Sequence, residues 1–419
     1  MRKFRIWAAP LGLSAAALIF AQTAPEPRPS AFSEIEATVA KLSQITGLKP
    51  LRHVKYDTID KQHLKQFLED RMREEIKPEE LRAEELALKK FGFVPQEFDL
   101  KKTTVDLITE QAAAFYDYRK KRLFLLDDSA TPEQQTVLAH ELAHALADQH
   151  FHLERYLKRG KSDDSSLARM AVMEGQATWL MYQMLAQKLG QSLLTSPAIA
   201  DSMSRLSDNS AAQYPVMGNA PLYMRASLLF PYIHGFRFQQ AVLQKLGTAG
   251  FGAVFRNAPT SSRQILHPEI YLAGDKEHVP DPPQLSSPSK YKTLTGGTVG
   301  EFDHAVLLEQ YGSKAEAQEL APHWRGGAFE LLEDQRDRHL VLVYASEWDS
   351  AANGQKMFDA YQRVMKGKWK QMRAGEARDG TLEGEGDDGL FRLTLAGTRL
   401  TSVEGVKSRS EWKPGVPVK

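Results

Sequence analysis

The sequence predicts an α+β protein in two parts: a mainly helical first domain at residues 25–285 and a small C-terminal α+β domain at residues 286–419. Apolar residues with helical spacing dominate the first part, and strand-like aliphatic runs alternate with helices in the second. A proline- and serine-rich stretch at residues 280–288 separates the two patterns. Aromatic and aliphatic runs between residues 112 and 126 add a β-hairpin to the helical domain.

The individual elements follow from local patterns. In the first domain these are a helical region at 31–91, strands at 112–118 and 122–126, and helices at 132–149, 166–189 and 222–246. Thr131 and Pro132 are typical of a helix start, which supports the helix at 132–149. In the second domain they are helices at 305–311, 315–320 and 357–365, and strands at 329–332, 340–344, 391–395 and 400–406.

The first 24 residues have the layout of a signal peptide. Three basic residues lie within the first five positions, an apolar run follows at residues 6–20, and small residues at 21–24 mark a plausible cleavage point. This apolar run is shorter than the roughly 20 residues that a membrane-spanning helix needs. We therefore expect an exported protein, periplasmic or extracellular, whose mature form has no membrane-spanning segment.

The composition restricts the kinds of site that the protein can build. It contains no cysteine, so disulfides are excluded and a transition-metal site must use histidine, aspartate and glutamate. The 54 basic residues nearly balance the 53 acidic ones, so the chain lacks the electrostatic signature of a nucleic-acid-binding protein. Neither property indicates an oligomeric state.

Residues 140–144 read His-Glu-Leu-Ala-His and carry the clearest chemical signal. His140 and His144 are four residues apart on one helical face, so both imidazoles can bind one ion. Zinc suits imidazole ligands, and a catalytic zinc site keeps one position open for water. Glu141 stands where a carboxylate can take a proton from zinc-activated water and pass it to a leaving group. The alternative is a chance pair of histidines.

Two residues compete to be the third ligand. His150 lies ten residues after the first histidine, but Ala147 leaves the helix unbroken, which turns His150 away from the site. Glu174 lies among apolar neighbours on the next helix, and a buried carboxylate is costly unless it is paired or bound to a metal. A salt bridge to Arg169 is the simpler alternative for Glu174. Gly175 would let its helix approach the histidine helix closely.

At this point the chain resembles the gluzincin branch of the zinc peptidases, in which a glutamate on a second helix completes the metal site. More narrowly, it resembles a little-characterised exported bacterial subgroup of that superfamily. The segments that carry the resemblance are Phe115–Asp117, His140–Phe151, Glu174–Ala177, Phe230–Tyr232 and Pro259–Tyr271. Gln176 and Arg263 depart from it, because the subgroup usually has an acidic residue at each of these positions.

The resemblance implies a zincin-like fold for the first domain and one Zn²⁺ per chain, bound by His140, His144 and Glu174. It also implies that Glu141 is the general base. By analogy with other gluzincins, His267 and Tyr271 are assigned to stabilise the oxyanion of the reaction, with Pro268 starting their helix.

The alternative is that the segment of His267 and Tyr271 only closes the cleft. Tyr232 is a weaker candidate for oxyanion stabilisation. Asp148 is a candidate to orient His144.

The resulting hypothesis is an exported zinc metallopeptidase that acts on peptides or proteins, as an endopeptidase rather than an aminopeptidase. One strand of the hairpin, 112–115 or 123–126, would pair with extended substrate. Residues 25–95 belong either to the catalytic domain, which we favour, or to an inhibitory prosegment. The alternative from another class is a catalytically inactive, zinc-stabilised binding or assembly protein of the periplasm or cell envelope.

Overall fold

The computed structural model describes residues 34–126, 133–196 and 214–412. The predicted signal peptide and Pro132 lie outside these residues. The chain is an α+β protein, as predicted. None of the helices in the described ranges is both long and apolar enough to cross a bilayer.

The first part of the chain is mostly helical and contains three short strands. In chain order, its elements are α1 (Ile35–Thr46), β1 (Lys55–Ile59), α2 (Lys61–Glu75), α3 (Pro78–Phe91), α4 (Leu100–Gln111), β2 (Ala114–Asp117), β3 (Arg122–Leu126), α5 (Glu133–Phe151), α6 (Leu153–Lys158), α7 (Asp163–Lys188), α8 (Pro215–Asn219), α9 (Leu222–Leu246), α10 (Gly250–Arg256), α11 (Ser262–Leu266) and α12 (Pro268–Ala273). The predicted hairpin, the histidine helix and the two long helices after it are all present.

The helical prediction for residues 31–91 is wrong at β1. This strand pairs in parallel with β3, so the sheet has the order β1-β3-β2. The side chains of Lys55–Thr58 are all exposed. A strand without a buried face lacks the alternation of apolar and polar residues that would reveal it in the sequence. Because β3 lies in the middle, β2 is an outer strand of the sheet.

The helices α7 and α9 cross in direct backbone contact. A Cβ atom added to Gly175 would lie 2.1 Å from the carbonyl carbon of Gly235, and one added to Gly235 would lie 2.1 Å from the carbonyl oxygen of Ala171. The expectation that Gly175 faces the histidine helix is therefore wrong. Successive helical residues point about 100° apart, so a helix that turns Glu174 toward α5 turns Gly175 toward another neighbour.

The C-terminal part is built on a seven-stranded antiparallel sheet with the order β4-β5-β6-β10-β9-β8-β7. Its elements are β4 (Tyr291–Thr298), α13 (Glu301–Tyr311), α14 (Lys314–Leu320), β5 (Trp324–Asp334), β6 (Leu340–Trp348), α15 (Ala351–Lys368), β7 (Met372–Ala374), β8 (Thr381–Gly386), β9 (Gly389–Ala396) and β10 (Arg399–Val406). The predicted strands and helices are present, and β4, β7 and β8 are additional.

The two parts of the chain share a hydrophobic core. The ring of Phe91, at the end of α3, meets Phe329 edge-on at 5.1 Å and Tyr344 at 5.8 Å. Beside it, the ammonium group of Lys90 lies 2.9 Å from the carboxylate of Asp388. The N-terminal helices therefore pack directly on the C-terminal sheet.

Candidate metal centre

Three side chains on α5 and α7 place their donor atoms in a small triangle. The Nε2 atoms of His140 and His144 are 3.0 Å apart, and they lie 3.1 and 3.2 Å from Oε2 of Glu174. All three residues are at most 2% exposed. Among the described residues, this is the one group of three or more His, Cys, Asp or Glu side chains compact enough to hold a metal ion.

The triangle fits a zinc ion well. Ligand atoms at about 2.1 Å in a tetrahedral site lie roughly 3.4 Å from one another, close to the spacing seen here. Two imidazole nitrogens and one carboxylate oxygen form a typical donor set for zinc, with a fourth position remaining.

The carboxylate of Glu174 is ionised in this environment. Burial alone would raise its pKa, but the contacts with His144 and His140 outweigh that effect and lower the pKa to about 2. A carboxylate buried between two imidazoles needs to be paired with them or bound to a metal, because an isolated buried charge is costly.

Glu141 lies next to the first histidine on α5 and is fully buried. Its Oε2 accepts a 2.7 Å hydrogen bond from the backbone N–H of Tyr116 in β2. This N–H belongs to the outer strand of the small sheet and points away from β3. The sequence gives no sign of this contact, because a backbone donor leaves no trace in residue type.

Asp148 does not orient His144. Its carboxylate accepts hydrogen bonds from the Tyr116 hydroxyl at 2.9 Å, from Nζ of Lys121 at 2.9 Å and from the Leu153 backbone N–H at 2.9 Å. Burial and the neighbouring Asp148 together raise the pKa of the Tyr116 hydroxyl. Asp148 thus connects the end of α5 to β2, to the turn of the hairpin and to α6.

His150 is not part of the metal centre. Helix α5 continues without a break through Ala147, as the sequence predicts. The Nε2 atom of His150 instead lies 2.8 Å from the carbonyl oxygen of Lys49. Glu174 is therefore the third member of the donor set.

The assignment of His267 and Tyr271 to the oxyanion has no support in the structure. Nε2 of His267 lies 2.7 Å from Oε1 of Glu301 in α13, and the Tyr271 hydroxyl donates to the carbonyl oxygen of Asn257 at 2.8 Å. The Tyr271 ring packs edge-on against Phe238. Because α11 and α12 pack against α7, α9 and α13, these side chains turn toward those helices and not toward the donor triangle.

Tyr232 is the aromatic residue that contacts the centre. Its ring stacks on the ring of His140 with centroids 6.0 Å apart and an interplanar angle of 24°. It follows Pro231, which lies inside α9 and removes one helical hydrogen bond there. Phe230–Tyr232 is one of the segments that carry the family resemblance, and this resemblance is the signal in the sequence that points to Tyr232.

Three buried polar atoms of the proposed ligands or of nearby residues on α7 have no hydrogen-bond partner within the described residues. They are Oε1 of Gln176, Oγ1 of Thr178 and Nδ1 of His140. The departure from the family pattern at Gln176 therefore leaves the triangle intact.

Comparison with known proteins adds one match. The model of a domain of unknown function (DUF8575) matches residues 290–412. No curated protein matches the chain, and no solved structure does. The match begins beside the first residue of β4 and covers the C-terminal sheet with α13, α14 and α15. It does not include the donor triangle.

Proposed function

We propose that the chain is an exported zinc-dependent metallopeptidase that hydrolyses peptide bonds with Glu141 as general base. The observation that carries this proposal is the buried triangle of His140, His144 and Glu174, with the buried residue Glu141 next to His140 in α5. Export rests on the sequence of the first 24 residues.

The bound zinc ion would supply a Lewis acid that polarises the substrate carbonyl and lowers the pKa of water. The protein's own residues provide the rest. His140, His144 and Glu174 hold the ion, and Glu141 accepts the proton of the attacking water and returns it to the leaving amine. The N–H of Tyr116 keeps the Glu141 carboxylate in place.

The outer strand β2 is the candidate site for an extended peptide. Among the described strands, the order β1-β3-β2 leaves one edge of β2 without a partner strand, whereas β3 is paired on both sides. Of the two strands that the sequence allowed, β2 is the better candidate to add a substrate strand. Its four residues are buried and its Tyr116 N–H already bonds Glu141, so a substrate strand would add there only after this contact opens. Its Tyr116 contact places this edge next to Glu141. An extended substrate main chain along β2 fits an endopeptidase better than an aminopeptidase.

One variant tests the mechanism directly. Glu141→Gln keeps the three metal ligands and removes only the base, so it should bind one zinc per chain and lose peptide cleavage. Zinc content is measured by elemental mass spectrometry, and cleavage with a peptide library. A Glu141→Gln protein that cleaves at the wild-type rate would contradict the proposal.

A second candidate function follows from the burial of the centre. The ligands and Glu141 are at most 2% exposed, so this conformation gives a substrate little access to the centre. A zinc-stabilised binding or assembly protein of the cell envelope needs no such access. Zinc at one per chain, with no cleavage of any library peptide by the wild type, would favour this second function.

A further inference from the structure

The imidazole of His140 lacks the hydrogen bond that usually fixes the ring of a metal ligand. Its Nε2 atom points into the donor triangle, and its Nδ1 atom is buried without a hydrogen-bond partner within the described residues. A histidine that binds a metal through Nε2 carries a hydrogen on Nδ1, which in most metal sites donates to a carboxylate, a carbonyl or a water. The orientation of the His140 ring therefore depends on the side chains that pack against it.

Two of the described rings contact the His140 imidazole. The His144 ring meets it edge-on at a centroid distance of 4.7 Å, and the Tyr232 ring stacks on it at 6.0 Å with an interplanar angle of 24°. Offset-stacked rings in proteins have centroids about 4.5–7 Å apart, so the second contact is a stack of ordinary geometry. His144 belongs to the donor set itself. Of these two rings, Tyr232 is the one that can orient His140 from outside that set.

The position of Tyr232 is fixed by the backbone contact between α7 and α9. Gly235 lies three residues after Tyr232, so the two residues share one side of α9. A Cβ atom on Gly235 would lie 2.1 Å from the carbonyl oxygen of Ala171, and its backbone lies against Gly175, the residue after Glu174. This crossing holds α9 against the helix that carries the third proposed ligand. The Tyr232 ring, which is 8% exposed, is thereby held beside the centre.

The stack is expected to strengthen when a cation binds to His140. Coordination at Nε2 draws electron density from the imidazole and makes its ring more positive. The face of a tyrosine ring carries negative partial charge and attracts a positive group more strongly than a neutral one, above all in a site shielded from water. The Tyr232 ring therefore stabilises the metal-bound form of the centre relative to the metal-free form.

We propose that Tyr232 is a positioning residue of the metal centre. Its ring holds the His140 imidazole in the orientation that directs Nε2 at the ion, in place of the hydrogen-bond acceptor that most metal-binding histidines have. This role rests on the proposed function, because it requires that the donor triangle binds zinc. It differs from oxyanion stabilisation, since the aromatic ring carries it and the hydroxyl does not.

Variants of Tyr232 in the full chain test this role, with Zn²⁺ and Co²⁺ as the probes. Tyr232→Leu and Tyr232→Met keep apolar bulk but remove the aromatic face, so each should weaken zinc binding by at least about tenfold. Each should also change the visible absorption spectrum of the Co²⁺ form, because that spectrum reports the ligand geometry. Tyr232→Phe keeps the ring and should retain the wild-type affinity and spectrum.

Phe238→Leu is the matched control for lost packing. Phe238 is fully buried on the same helix, and its ring packs on Tyr271. This variant should lower the unfolding midpoint and leave the zinc affinity of the folded protein unchanged. Zinc affinity is measured by competition with a chelator, on protein shown to be folded by circular dichroism.

The outcomes separate this role from the proposed function. Wild-type zinc affinity and an unchanged Co²⁺ spectrum in Tyr232→Leu or Tyr232→Met would overturn the role of Tyr232 and leave the zinc centre standing. Equal losses of affinity in Tyr232→Phe and Tyr232→Leu, or in Phe238→Leu and Tyr232→Leu, would also overturn it, because the aromatic face would then not be the cause. A wild-type protein that binds neither Zn²⁺ nor Co²⁺ would overturn both proposals.

Discussion

The backbone N–H of Tyr116 donates a 2.7 Å hydrogen bond to the carboxylate of Glu141, while the hydroxyl of the same residue donates to Asp148 at 2.9 Å. One residue of β2 thus holds α5 at two points, seven residues apart. The first contact fixes the proposed general base, and the second fixes the end of the helix. The two contacts can be separated by mutation, because only one uses the side chain.

Tyr116→Phe removes the hydroxyl contact and keeps the backbone contact. Asp148 retains Lys121 and Leu153 as donors, so we expect a loss of about 1 kcal/mol in the free energy of unfolding. Peptide cleavage and zinc content should stay near wild type. Chemical denaturation measures the free energy of unfolding, and a peptide assay measures cleavage. A tenfold fall in cleavage with zinc retained would show that the hydroxyl itself takes part in the reaction.

Glu174→Gln replaces the charged donor with a neutral amide. Changing a residue that only supports a metal ligand already weakens metal binding by about 10- to 100-fold, so we expect a loss of at least that size here. Competition with a chelator measures the zinc affinity. His150→Ala is the control, because His150 contacts Lys49 and not the donor triangle. Equal zinc affinity of Glu174→Gln and the wild type would exclude Glu174 as a ligand.

Gly175→Ala tests the contact between α7 and α9. Its Cβ would lie 2.1 Å from a backbone atom of Gly235, so the two helices must separate. We expect a loss of about 1–3 kcal/mol in the free energy of unfolding, as for other overpacked cores. Gly218→Ala is the matched control, because a Cβ there meets nothing within 4 Å and alanine favours the helix. Similar unfolding midpoints for the two variants would refute the close crossing.

A group of acidic residues makes the stability depend on pH. Glu84, Asp163, Asp164 and Asp303 lie together where α3, α7 and α13 meet, and neither oxygen of Asp163 has a hydrogen-bond partner within the described residues. Removal from water, and then repulsion between the carboxylates, raises the pKa of Asp164 to about 8. Removal from water raises that of Asp303 to about 7. The pKa values of Glu84 and Asp163 are raised as well.

The sign of this pH effect follows from the raised pKa values. The folded protein holds protons that the unfolded chain releases above about pH 4, so this stabilisation is present below pH 4 and is lost as the pH rises through 7 to 8. We expect the unfolding midpoint to fall as the pH rises from about 4 to about 8. Asp163→Asn, which cannot ionise, should raise the midpoint at pH 8 and change it little at pH 5. Asp359→Asn on the exposed face of α15 is the control. If the unfolding midpoints of Asp163→Asn and the wild type fell in parallel with pH, this account would be contradicted.

The N-terminal helices are expected to remain in the mature protein. Phe67 of α2 stacks on Phe115 of β2 with ring centroids 5.5 Å apart, and Arg71 forms a buried 2.8 Å ion pair with Asp117. Removing residues 25–95 would expose this part of the core and leave the Asp117 carboxylate without its ion-pair partner Arg71. N-terminal sequencing of the secreted protein should find a start near Gln22, and a start near Phe93 would show that the region is a prosegment.

Local patterns predicted the long helices well and missed several strands. The helices α5, α7 and α9 were expected from caps and apolar spacing, and they lie close to the predicted ranges. The strands β1 and β7 were missed because they are short and largely exposed, so no apolar alternation marks them. They are strands because a neighbouring strand pairs with them, which is a non-local cause.

The sequence by itself determined the chemistry of the centre: two histidines on one face of a helix, a carboxylate between them, and a buried glutamate on the next helix. Only the tertiary structure decided that Glu174 meets both histidines, that Gly175 meets Gly235, and that His267 turns to Glu301. Helical periodicity sets which residues share a face. Which partner that face meets depends on how all the helices pack, and no local pattern contains that information.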